Sequence, residues 1–173
     1  MSLRTIREQG DPVLNKKAKE IKEMTPKIRK LIDDMKETMY DANGVGLAAP
    51  QVGMLKRIVV IDVSETQDQP IVMINPEIVE SDGKQTGWEG CLSVPGMSGQ
   101  VTRPRHVVAK ALNEDMEEFT VEGEDRLARA ICHELDHLEG HMYVELVEGK
   151  LYTNEELEEM MAQEEAEAAE EKV

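Results

Sequence analysis

The sequence predicts an α+β fold: β-sheets, mixed or antiparallel, packed around a central helix, with one helix near the N terminus and another at the C terminus. Three observations predict it. Four β-branched runs, "KRIVVIDVS", "IVMINPEIVES", "HVVAKALNED" and "EEFTVEGED", follow one another without the helices that a doubly wound sheet would place between them. A helical pattern with apolar flanks arrives only afterwards, from about Asp125 to Leu138. The last twenty residues hold nine glutamates and one lysine, a composition of good helix formers with little apolar surface.

The first helix is expected over residues 25–41, "TPKIRKLIDDMKETMYD". Thr25 suits the N-cap and Pro26 the first helical position. Ile28, Leu31, Ile32, Met35 and Met39 recur at the three-and-four spacing of one buried face. In "ANGVGLAAPQVG", three glycines and a proline argue against any regular element. The strands follow, the last two joined through Asn113, Glu114 and Asp115. On the later helix Leu127, Ala130, Ile131, Glu134 and Leu138 share a broad face, and Gly140 is placed to end it. A final helix starts near Asn154 and is expected to fray. The length of 173 residues points to one domain, read here as 1–151, with an acidic helix or tail over 152–173.

A formal net charge of −16 repels phosphates and anionic lipid, so direct nucleic-acid binding and membrane association are not expected. The opening "MSLRTIREQGDP" has no apolar core of a signal peptide, and no run reaches the length of a membrane span, so a cytoplasmic location is expected. In that setting the two cysteines, Cys91 and Cys132, are free thiols rather than a structural disulfide.

The central pattern is His133-Glu134-Leu135-Asp136-His137. On a helix the two histidines lie about 40° apart on one face, one turn apart, so both can reach one ion. The glutamate beside the first is then placed as general base on the water that the ion activates. A catalytic centre needs a third protein ligand. Where a metzincin carries its third histidine, this chain has Tyr143. His141 follows the helix end and points away, and Glu158 sits in the acidic tail. Cys132 projects about 100° from His133 and is expected to pack. Cys91, in the glycine-flanked "WEGCLSVPG", completes a set with His133 and His137 suited to iron(II), zinc, nickel or cobalt.

The stretches "GVGLAAPQ" at 44–51, "EGCLS" at 89–93 and "HELDHLEG" at 133–140 resemble, in order and spacing, the three motifs of the peptide deformylase family, and "GDPVL" resembles its start. The likeness runs from about residue 4 to 150. It implies a hydrolase that removes the formyl group from the N-terminal formyl-methionine of nascent chains near the ribosome. It implies that Cys91, His133 and His137 hold the metal, iron(II) first and zinc, nickel or cobalt as alternatives, and that Glu134 takes and returns the proton. It implies that the Gln51 side chain and the Leu92 backbone N–H face the oxyanion. Val45, Gly90 and Leu92 would border the peptide and its methionine, Gly46 would allow close backbone approach, and Ala130 would line the same pocket. Asp136 could serve a ligating histidine or pair with Arg103 or Arg105. The chain departs from the family pattern at Asn15 and Cys132, and "GMSGQVTRPR" lacks an arginine that many members place beside the substrate.

Overall fold

The computed structural model describes residues 2–171. Helix α1 (Pro26–Asp41) begins as the sequence predicts, with the Thr25 hydroxyl accepting from the Ile28 N–H at 3.2 Å. A five-stranded antiparallel sheet has the order β1 (Gly46–Ala48), β2 (Ile58–Ile61), β3 (Ile71–Asp82), β6 (His106–Leu112), β7 (Glu118–Glu124). A second antiparallel sheet has the order β4 (Gln85–Cys91), β5 (Val94–Arg103), β8 (Glu148–Thr153). Helices α2 (Arg126–Leu138) and α3 (Asn154–Glu171) complete the fold.

The five-stranded sheet lies between two helices, and β2 shows how. Val59 and Ile61 join Ile131, Leu135 and Leu138 of α2 in one core cluster. Ile58 and Val60 face the other way, onto Leu31, Ile32, Met35 and Met39 of α1. A strand covered on both faces needs apolar residues at every position, which is why "IVVI" does not alternate. A third cluster, with Leu14, Val94, Val101, Met142 and Tyr143, lies under the small sheet. Helix α2 therefore runs through the middle of the molecule, in contact with β1, β2, β5, β6 and β7. It ends at Gly140, whose φ of +83° is left-handed, and a Cβ there would lie 2.8 Å from the Asn15 carbonyl.

Two readings of the sequence are corrected. The glycine-rich 44–53 stretch does carry regular structure: β1, paired to β2, and a 3₁₀ turn over Ala49–Val52. The small sheet adds β4, β5 and β8, which no periodicity announced. Helix α3 continues to Glu171 and touches β5 and β8. Among the described residues no helix is long and apolar enough to cross a membrane.

Candidate active site

Two edge strands and one helix bring the site together. β1 is the edge of the large sheet and β4 the edge of the small one, and α2 carries the histidines between them. Cys91 is the last residue of β4, while His133 and His137 lie on the buried face of α2. One ligand atom from each of Cys91, His133 and His137 lies within 4.8 Å of the other two. The Cys91 Sγ is 3.4 Å from His137 Nε2.

The surroundings set the roles of the ring nitrogens. His133 Nδ1 lies 2.8 Å from Glu89 Oε1, which leaves Nε2 for the Cys91 side. Glu89 is itself clamped: Arg103 donates to both its oxygens at 2.9 and 3.0 Å, and Arg129 donates to Oε2 at 2.7 Å. Burial pushes the Glu89 carboxyl up, but the bonds from His133 and Arg103 more than offset it and hold it at about 2. Asp136 resolves the choice left open above: it accepts from Arg103 at 2.6 Å. Burial alone would lower the His133 pKa, yet Glu134, Cys91 and Glu89 together hold it well above the usual value. Burial keeps His137 neutral.

Glu134 is buried, and burial raises its carboxyl to about 7. Its Oε1 has no hydrogen-bond partner among the described residues, and neither has His137 Nδ1. A buried acceptor without a donor is costly. The thiol, the two imidazoles and this carboxylate fit a divalent cation with a water beside it: negative surroundings that hold a proton on His133 equally favour a metal ion there.

Gln51 is almost fully buried; its Oε1 accepts from the Ala48 N–H at 3.0 Å and its Nε2 donates to Ser93 Oγ at 3.0 Å and Cys91 Sγ at 3.4 Å. The Leu92 N–H, in the turn between β4 and β5, makes no hydrogen bond among the described residues. Val45, Gly46, Gly90, Leu92 and Ala130 all line one cavity of about 550 Å³, together with Gln51, Cys91, His133 and Glu134. His141 lies on the surface against Glu145, and Cys132 packs in the core beneath the sheet. Reasoning from sequence missed Glu89 and Arg129, and named Arg103 only as a possible partner of Asp136. The available signal was a glutamate two residues before the cysteine, in register to point at the helix.

An α2 helix presenting two histidines and a glutamate to a cysteine, above a cavity bounded by two strand edges, defines a metal-dependent hydrolase. The family model described as polypeptide deformylase matches residues 3–151. A peptide deformylase of Agathobacter rectalis is 71% identical over 152 residues, 88% of this chain and 94% of its own length. The crystal structure of a peptide deformylase from Legionella pneumophila superposes with a TM-score of 0.83 at 39% identity, covering 98% of this chain and 96% of that one. One from Thermotoga maritima gives 0.82 at 39% identity, covering 86% of this chain and 100% of that one. The chain belongs to the peptide deformylase family, and it is a hydrolase that removes the formyl group from nascent peptides.

Proposed function

We propose that Cys91, His133 and His137 hold one iron(II) ion, that Glu134 carries the proton of the reaction, and that Gln51 and Leu92 face the developing oxyanion, on N-formyl-methionyl chains leaving the ribosome in the cytoplasm. The observation that carries this reading is the buried Oε1 of Glu134, without a partner among the described residues, beside the thiol–imidazole cluster. The chemistry that a divalent ion supplies when bound is Lewis acidity, which polarises a carbonyl and makes water more acidic. With a carboxyl near 7, Glu134 can accept a proton from attacking water and give it up again near neutral pH.

The bonds balance simply. Water's oxygen joins the formyl carbon while Glu134 takes one of its protons. The displaced carbonyl pair then re-forms the C=O bond as the C–N bond breaks, Glu134 passes that proton to the leaving nitrogen, and formic acid and a free α-amine result; the acid gives its remaining proton to the amine or to solvent and leaves as formate. Leu92 can donate at once, because its N–H is unspent. Gln51 must redirect the hydrogen it points at Cys91, whose sulfur a bound cation would otherwise engage. An extended peptide fits between the free edges of β1 and β4, with Val45 and Gly46 on one side and Gly90 on the other.

The test is formate release from formyl-Met-Ala-Ser by protein prepared without oxygen in iron(II) or nickel(II), with acetyl-Met-Ala-Ser as control. Release of formate that Glu134→Ala abolishes supports the reading. Full activity and full metal content in Cys91→Ala would refute the ligand set.

A further inference from the structure

The charges lining the substrate cavity leave one of them over. Five of the lining residues can carry charge on a carboxylate, guanidinium or imidazole: Glu89, Arg126, Arg129, His133 and Glu134. Glu89, Arg129 and His133 are committed to one another, and Arg129 also donates to the Val101 carbonyl at 3.0 Å. Glu134 is buried at the reacting centre. Arg126 is exposed, and among the described residues its guanidinium has neither a hydrogen bond nor an ion pair.

Its position sharpens the point. Arg126 is the first residue of α2, a helix with no acidic residue in its first turn and no side-chain cap. A cation is disfavoured at a helix N terminus, where the backbone N–H groups already supply positive potential. The nearest carboxylate in sequence, Asp125, turns instead toward Arg105, 4.0 Å away. Guanidinium and helix end thus place positive charge together at one end of the cavity, on a chain whose net charge is −16. The whole-molecule charge would steer cationic peptides in; beside the Arg126 guanidinium the opposite sign is favoured.

We propose that Arg126 is a specificity-determining residue that selects, among N-formyl-methionyl peptides, those with an anionic side chain just after the methionine. This rests on the deformylase reading of the same cavity. The guanidinium stays solvated, so the preference is that of a partly exposed ion pair, about 1.5-fold to fivefold.

The experiment compares kcat/KM for formyl-Met-Asp-Ala, formyl-Met-Ala-Ala and formyl-Met-Lys-Ala, each with an amidated C terminus, on the metal-loaded chain at about 0.15 M salt. The expected order is Asp above Ala above Lys. Arg126→Lys should keep that order, Arg126→Ala should collapse it, and Arg126→Glu should reverse it. A merely structural role would lower all three peptides alike and leave the ratios fixed. Equal or faster turnover of the Lys peptide by the wild-type chain would overturn the proposal, as would an Asp-to-Lys ratio that does not change in Arg126→Ala and Arg126→Glu. Failure of the deformylase reading looks different: no formate from any of the three.

Discussion

His133 Nδ1 and Glu89 Oε1 lie 2.8 Å apart, so the orientation of the first histidine is set from the opposite sheet, by a carboxylate two residues from the cysteine. The same carboxylate holds Arg103, which is almost fully buried. Glu89→Gln therefore leaves a buried guanidinium without its main partner. The expected loss is about 3–5 kcal/mol of stability and about 10–100-fold in metal affinity, read by denaturant unfolding and metal titration.

Glu89 also predicts an acid limb. Its folded value of about 2 lies below the ordinary 4.5, so its contribution is fully present above about pH 4.5 and fades as pH falls toward 2. The size is about 3 kcal/mol. In the metal-free protein, unfolding free energy measured against pH should fall through that window, and Glu89→Gln should lose most of the slope. An unchanged slope in the variant would assign the acid limb to other carboxylates, such as Asp34, whose value is also lowered.

Gly46 and Glu134 meet across the site. A Cβ on Gly46 would come within 2.9 Å of Glu134 Cδ and closer to its Oε2. Gly46→Ala has no conflict with its own strand, so the damage should fall on the carboxylate. We expect metal content to stay near one ion per chain and kcat/KM to fall by about 100-fold, the scale for a misplaced general base. A fall of less than about threefold would mean that Glu134 has room to move.

The residues legible in the sequence are those whose pattern is local. Helix α1 could be read because Thr25, Pro26 and five apolar positions state its start and its face. The His133–His137 pair could be read because one helical turn fixes their separation. β5 could not: Pro95, Gly96 and Gly99 look like a loop, yet Gly99 is demanded by tertiary contact, since a Cβ there would lie 2.6 Å from Val147 Cγ2. Glu89 was hidden for a similar reason. Its partners Arg103, Arg129 and His133 lie 14, 40 and 44 residues away; the pairing of β4 with β5 supplies the first, and the packing of α2 supplies the other two.

Glu134 itself offers the cleanest separation of binding from chemistry. Glu134→Gln keeps the shape and removes the proton acceptor. Metal content should be unchanged while formate release drops by about 10²–10⁴-fold. Loss of the metal along with the activity would instead place Glu134 among the groups that hold the ion.

The boundary expected after residue 151 falls inside β8, which pairs Tyr152 with Ser98 and Thr153 with Met97. The Tyr152 ring also meets the Trp88 ring edge-on at 5.5 Å, and Trp88 and Asn154 both line the cavity. The Glu156 N–H caps onto Thr153 Oγ1 at 3.1 Å, and its carboxylate meets Lys150 at 2.9 Å. Beyond it α3 is exposed almost throughout and carries glutamates that repel one another. A chain cut after Leu157 should therefore keep its peptide activity within about twofold and its Tm within about 2 °C. A chain cut after Leu151 loses the strand end and the ring contact, and its Tm should fall by about 4–8 °C, with KM raised as the cavity wall loosens. Equal behaviour of the two truncations, read by thermal unfolding and formate release, would show that β8 past Leu151 adds nothing to the site.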